Sequence, residues 1–291
     1  MKTIFEITKQ TNFNIKEYTD SDLPSLSIVT PVNNLKDIFK ICVLNYTSTS
    51  YPRDRLEWVI VDDSDTEHKI EDLLPKRENW SKFNITYLYS EKKLTYSEKL
   101  NLGLDTCKNE CVQVMNQDDF FYENGFKTNV FNLLKTGKRC VGMTNYGCFD
   151  INKYVSIINS SYHMLEYSNR LYTGSLCFYR DFWENNRFQK EQPLLHFMRN
   201  RFDQFSEVNY TNILVGLAHS RNKDIREIKD QEPNGCHFNF SKKLFSYICS
   251  LDEQNKTEIE TKLETTEREK DEIRKLAETE NTENTENIKE I

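Results

Sequence analysis

The run SLSIVTPV (25–32), which follows Pro24, is apolar and rich in β-branched side chains, and it predicts a short buried strand. A helix is expected next. Asn34 stands where a cap belongs, Leu35, Ile38, Phe39 and Val43 recur at helical spacing, and Tyr51-Pro52 closes the segment. The apolar run in LEWVIVDDS (56–64) ends in acids. A charged stretch of helical character leads to ITYLYS (85–90), a third strand. SEKLNLGLDTC (97–107) predicts a helix with Leu100, Leu102, Leu104 and Cys107 turned partly inward. CVQVMNQDD (111–119) reads as a strand that again ends in acids, and a helix around Lys127 to Leu134 follows it.

Strands alternating with helices predict an α/β fold with a doubly wound, mostly parallel sheet and right-handed crossovers. Ligands in such sheets bind beyond the carboxyl ends of the strands, where both acid clusters fall. After residue 140 the pattern is mixed: KRCVGMTNYG, RLYTGSLCFYR and TNILVGLAH are strand candidates, with helices near 181–186 and 193–206. From about 251 the chain turns to Glu, Thr, Lys and Asn, with three Thr-Glu-Asn repeats before Ile288. Ile259, Leu263, Ile273 and Leu276 are too sparse for a coiled-coil seam, so 251–291 is expected to be an acidic helical or disordered tail.

Charge sharpens that boundary. The 291 residues carry 39 Lys/Arg and 46 Asp/Glu, and the last 41 hold 14 acids against 7 bases, which is the whole net charge of -7. The other 250 residues balance at 32 against 32, so no basic field marks a nucleic-acid binder. Eighteen Phe and fifteen Tyr are enough for a substantial core. Eight glycines form neither a dinucleotide fingerprint nor a P-loop. No apolar run nears the roughly 18 residues that cross a bilayer, and the start, MKTIFEITKQ, has no signal-peptide core, so a soluble product without a membrane span is expected. The eight cysteines occur without a Cys-x-x-Cys pair, which suits reduced core thiols.

Two clusters carry candidate chemistry. Asp62-Asp63-Ser64-Asp65 can accept hydrogen bonds from a base N–H or from ribose hydroxyls at a strand exit, or it can be a turn with helix-capping acids. Asn116-Gln117-Asp118-Asp119 offers hard oxygen ligands for magnesium or manganese at the surface, bridging a diphosphate, or it is a solvated turn.

In order, SIVTPVNN, WVIVDDSD and LTYSEKLNLGLDTCKNECVQVMNQDDFFYENGF resemble the inverting glycosyltransferases of family two, which have the GT-A fold. The resemblance spans roughly 25–225. It implies a GT-A domain over 25–250 behind an N-terminal extension (1–24), with a nucleotide-sugar half (25–139) and an acceptor half (140–250). Carried over, it implies that Pro31 borders the nucleotide, that Asp62 holds the uracil or equivalent base with Asp63 in support, and that Lys99 and Asn101 face the nucleotide, with Gln117 and Asp118 beside it. Asp118, Asp119 and His219 would then hold a divalent cation, Mn or Mg. The chain departs from the family pattern at Asn116, where many members carry an Asp, and at Lys99, where Arg is commoner.

Inversion needs a base that takes the acceptor's proton. The family places an Asp or Glu after a Gly-containing acceptor segment. Tyr172-Thr173-Gly174-Ser175-Leu176 resembles that segment, and Glu191 stands for the base, with Gln192 replacing the usual Asp and Asp203 in reserve inside the expected helix. The alternative for Glu191 is a helix-start acid and for His219 a structural histidine, while Arg221 is placed to offset phosphate charge. The reading implied is a metal-dependent hexosyltransferase that moves a sugar from a nucleoside diphosphate donor, UDP-sugar favoured, to a glycan or protein hydroxyl. The opening LPSLSIVTPVNN and the YPRDRLEWVIVDDS block resemble enzymes of large DNA viruses, which implies a host cytoplasmic or virion setting. The rival reading is a catalytically inactive GT-A-like interaction domain. A sugar nucleotidyltransferase lacks its Gly-rich activating loop here.

Overall fold

Strand β1 (Leu26–Val32) is buried along its whole length, as a strand with parallel neighbours on both edges and a helix on each face must be. The computed structural model describes residues 18–160, 170–222 and 238–251. It divides into two compact units, one of 1–147 and 158–216, the other of 148–157 and 217–291. Most of the N-terminal extension and nearly all of the acidic tail lie outside the described residues.

In the first unit β1 is followed by helix α1 (Lys36–Ser48), β2 (Leu56–Asp62), β3 (Ile85–Tyr89), helix α2 (Tyr96–Thr106) and β4 (Cys111–Val114). After these come β5 (Asp119–Phe121), helix α3 (Gly125–Thr136) and β6 (Cys140–Met143). Strands β7 (Asn145–Asp150), β8 (Val155–Ser160) and β11 (Leu214–Ala218) run across the sequence boundaries of the units. Between β8 and β11 lie β9 (Tyr172–Tyr179), helices α4 (Arg180–Glu184) and α5 (Pro193–Met198), and β10 (Phe205–Glu207). One seven-stranded sheet has the order β10-β6-β9-β4-β1-β2-β3. Its β1, β2, β3 and β4 pair in parallel, as do β6 and β10, and β9 alone runs antiparallel to both neighbours.

The register levels the carboxyl ends: Val32 pairs with Asp62, and Asp62 with Tyr89. Pro31 fits in this central strand because its missing N–H points where no strand remains. Val29 bonds toward β4 through Met115 N, and Pro31, two residues on, faces the same side beyond the last β4 partner.

Each face of the sheet is covered by sequence-encoded packing. On one, Phe39 and Tyr46 of α1 stack on Trp58 with ring centroids 5.8 and 4.7 Å away. On the other, Gly103 of α2 lies so close to the sheet that an added Cβ would stand 2.6 Å from Val29 and 3.3 Å from Val61. Leu100 and Leu104 of α2 join Val29, Val59, Phe178 and Phe197 in the core. Within the second unit, helix α6 (Lys242–Cys249) is capped by Ser241, and Phe149 packs against Phe240 and Phe245.

Four expectations need correction. Asn34 does not cap α1: the position belongs to Leu35, and the Asn34 side chain instead accepts from Asp65 N and donates to Asp65 Oδ2, both at 2.8 Å. The charged stretch before β3 forms three short 3-10 turns, because Pro75 and the polar run around it supply no continuous apolar stripe. The run 111–119 is no single strand: β4 stops at Val114, and Asp119 opens β5, which pairs antiparallel with β11. The helix expected over 193–206 ends at Met198, and Asp203 lies in a separate 3-10 turn.

Gly103→Ala sets two effects against each other. Helix propensity favours Ala by up to about 1 kcal/mol, whereas overpacking against two branched side chains costs about 1–3 kcal/mol. We expect a net loss of stability, read as a lower urea midpoint at unchanged slope; a neutral variant would mean that α2 can stand off the sheet.

Candidate active site

The level strand ends are locked by a buried ion pair. Asp63, just past β2, is 1% exposed. Its Oδ1 accepts from Lys99 Nζ at 2.8 Å and from Asn33 Nδ2 at 3.0 Å, and its Oδ2 accepts from Leu94 N at 2.8 Å. Lys99 Nζ also donates to Val32 O at 2.9 Å. One ammonium therefore joins β1, β2 and α2. Lys93 donates to the Asp63 carbonyl and pairs with Asp65 at 2.9 Å, which extends the lock to the outer turn.

Asp62 is fully buried and turned inward. Its Oδ1 accepts from Ser64 N at 2.8 Å, and its Oδ2 accepts from Tyr87 OH at 2.7 Å and Ile70 N at 3.3 Å. The carboxylate thus holds the 63–70 loop in shape, and direct contact with a base requires that loop to open. The same proximity to Asp62, after burial itself, pushes the Tyr87 phenol far above its ordinary value.

The second cluster meets the first through Gln117, whose Oε1 accepts from Asn33 N at 2.8 Å and whose Nε2 donates to Asn33 O at 3.4 Å. Asp118 is half-buried. Asp119, expected at the surface, is wholly buried, because β5 begins there and pairs it with Gly216. Tyr172 OH lies 2.6 Å from both Asp119 carboxylate oxygens and accepts from Asn116 Nδ2 at 3.0 Å. Asn116 Oδ1 accepts from Tyr96 OH at 2.7 Å. Only glycine fits at 174: a Cβ there would collide with Asp119 Oδ2 and stand 2.6 Å from Asn116 Nδ2. Burial pushes the Cys42 thiol well up, and the negative charges of Asp119 and Asp118 add to the effect.

Helix α2 also holds the 188–189 segment that precedes Glu191. Its start is fixed by a Thr95/Glu98 capping box. One helical turn apart, Ser97 Oγ donates to Gln189 O at 2.7 Å and Asn101 Nδ2 donates to Phe188 O at 2.8 Å. Asn101 Oδ1 accepts from Trp183 Nε1 at 2.9 Å. Glu191 itself is exposed, next to Gln192, which has a left-handed backbone with φ 48° and precedes Pro193 of α5. Asp203 is exposed, and its carbonyl accepts from Lys138.

His219 belongs to the second unit. Its Nδ1 accepts from Arg221 N at 3.2 Å, so the neutral ring carries its proton on Nε2. Coordination through Nε2 requires that proton to move and the Arg221 bond to break. Among the described residues no set of three His, Cys, Asp or Glu side chains is grouped to hold a metal.

Sequence reasoning missed Tyr172, Tyr96, Tyr87, Ser97 and Asn33. Tyr172 had a signal, since it stands two residues before the glycine of the quoted acceptor segment. The partners of the others depend on strand register.

The sheet order and the two acid-bearing turns at its carboxyl edge define a glycosyltransferase domain of the GT-A type. The family model described as Glycosyl transferase family 2 matches residues 27–191, and the chain belongs to that family. No curated protein matches the sequence. Among solved structures the fold is similar to residues 1–349 of S. aureus TarS in complex with UDP (TM-score 0.53, 13% identity, 67% of this chain and 60% of that one). The complex of the same protein with UDP-GlcNAc gives 0.52, 12%, 67% and 58%. The mannosyltransferase PcManGT from Pyrobaculum calidifontis with GDP-Man and Mn2+ gives 0.52, 13%, 73% and 61%. The chain thus spans about three fifths of the length of these structures.

Removing Lys99 tests the lock. Lys99→Met leaves Asp63 charged, buried and short of its cation, and breaking such a pair from one side costs about 3–5 kcal/mol. Chemical denaturation should show a loss of that order. A loss below about 1 kcal/mol would mean that water or Lys93 replaces the ammonium.

Proposed function

We propose that this domain transfers a sugar, with inversion, from a nucleoside diphosphate donor to a hydroxyl of a glycan or protein, and that the donor is a UDP-sugar. The observation that carries the reading is the convergence of Asp63, Gln117 and Asp118 at one edge of a family-two sheet, held there by Lys99 and Asn33. The matched structures hold UDP, UDP-GlcNAc or GDP-Man, which favours a nucleotide sugar. Pro31, Asp62, Asp63 and Lys99 then act chiefly by shaping the donor cradle, since each lies in or beside the bonded framework rather than facing open solvent, whereas Asn101 is taken up by Phe188 and Trp183 and holds the segment before Glu191. No helix among the described residues is long and apolar enough to cross a membrane.

Asp118, half-buried, would hold a divalent cation, and Asp119 would join it only on giving up its bonds to Tyr172. Manganese or magnesium bound there supplies charge neutralisation for the departing diphosphate. Gln117 and Asp118 orient the ribose and phosphate side of the donor. Glu191, exposed and anchored through Phe188 and Gln189 to α2, removes the acceptor hydroxyl proton as that oxygen attacks the anomeric carbon.

One observation favours the inactive reading: the Asp119 carboxylate is out of solvent and bonded to Tyr172. Calorimetry with UDP, with and without Mn2+, separates the two. An enzyme of the proposed kind binds UDP more tightly with metal. Asp118→Asn, at a half-buried position, should remove at least tenfold of that metal-dependent gain while binding without metal stays unchanged. An equal affinity with and without Mn2+ in the unaltered protein would remove the metal assignment.

The base is tested separately. Glu191→Gln keeps shape and removes basicity, so transfer should fall by about 10²–10⁴-fold while the donor dissociation constant barely moves. Transfer at the unaltered rate, or a parallel collapse of donor binding, excludes Glu191 as the base.

A further inference from the structure

A cavity lies at the opposite end of the strands from the proposed donor edge. Trp58 and Ile85, which pair in register at the start of β2 and β3, form its floor. Trp58 precedes Asp62 by four residues, a rise of about 13 Å, so the cavity is no part of the donor cradle. Its volume is about 630 Å³, within the range of small-molecule sites.

The wall is apolar, with Tyr46, Leu74 and Phe83 around the Trp58 floor. Phe83 remains 43% exposed, so the mouth is open to a guest. Arg53 and Lys82 are the only charged residues in the lining, and both are cations. Neither takes part in an ion pair with a described residue. The Arg53 guanidinium lies 5.0 Å from the Tyr46 ring centroid and donates to Thr47 O at 2.6 Å, and the Lys82 ammonium lies 5.9 Å from the Phe83 ring centroid, contacts that leave both positive charges unneutralised. An apolar chamber whose only charges are two cations without a carboxylate partner among the described residues is complementary to a molecule with an apolar body and an anionic head.

We propose that this cavity binds a small amphiphilic anion of the medium-chain carboxylate class, its chain against Val43, Leu73 and Phe83 and its carboxylate between Arg53 and Lys82. The site is independent of the donor reading, so either can fail alone.

Calorimetry on the full chain with decanoate, below its micelle concentration, and with the uncharged decanol tests it. The expected result is saturable one-to-one binding of decanoate, with decanol about tenfold weaker. Arg53→Met combined with Lys82→Met should weaken decanoate by about tenfold and leave decanol unchanged, which also reports an intact chamber. Thr47→Trp fills the chamber from an exposed position on α1, where the threonine hydroxyl bonds only carbonyls of its own helix, and should abolish binding of both. UDP affinity should be the same in all variants. Absence of saturable decanoate binding, equal affinity for decanol, or full binding in Thr47→Trp each overturns the proposal; equal affinity would mean that any apolar guest covers the wall.

Discussion

The ammonium of Lys99 and the carboxylate of Asp63, 2.8 Å apart and with side chains 6% and 0% exposed, tie the carboxyl end of the sheet together. Parallel strands have no hairpin turn to align their ends, so β1 and β2 could fray independently just where a ligand must be met. The pair prevents this because its remaining valences are also used. Lys99 bonds Val32 O, and Asp63 takes Asn33 and Leu94. A buried pair that lacked those bonds would not offset the loss of hydration of its two charges. Here every partner is a backbone or side-chain group at the carboxyl ends of the strands or in the loops beside them, so the desolvated charges fix the geometry of the edge.

Helix α2 serves two sites at once. Lys99 and Gly103, one turn apart, face the sheet; Ser97 and Asn101, also one turn apart, grip the 188–189 segment on another side of the helix. Gly103 makes this possible, since a side chain there would lift the helix off Val29 and stretch the Lys99 bonds. The strand ends and the segment before the residue proposed as base are therefore held by the same rigid element, eleven residues long and capped by Thr95. Precision of this kind is what a group-transfer site needs, because small displacements of a base or donor are costly.

Much of this was legible in the chain. Strands β1 and β2 and their acid-bearing exits follow from composition, because a parallel strand buried on both faces is mostly apolar; β3, at the sheet edge, is largely half-buried, and helix α2 follows from its period although Leu102, expected partly inward, is exposed. Strand β9 was legible too, as RLYTGSLCFYR, but not its antiparallel direction, which depends on partners distant in sequence. The site was only half legible. Residue types announced Asp62, Asp63, Asp118 and Asp119 as polar groups at strand ends, yet gave no sign that Asp62 turns inward to Tyr87 or that Asp119 is out of solvent. Asn34 shows the general reason: its side chain has two equally local uses, a helix cap and a clasp on Asp65, and the tertiary partner won.

Asn116, one of the departures from the pattern the resemblance implies, is matched to a neighbour. Tyr172 has one hydroxyl proton, and its oxygen lies within 2.6 Å of the Asp119 carboxylate, so that proton goes to the carboxylate. The same oxygen then needs a donor, and Asn116 Nδ2 supplies it at 3.0 Å while Asn116 Oδ1 accepts from Tyr96. An ionised Asp at 116 could accept from Tyr96 but could donate nothing, and two carboxylates would compete for one proton beside Gly174. The amide therefore completes a chain, Tyr96 to Asn116 to Tyr172 to Asp119, in which every hydrogen bond has one donor and one acceptor. A carboxylate in its place would add charge to the rim and break that chain, so the substitution and the tyrosine form one unit.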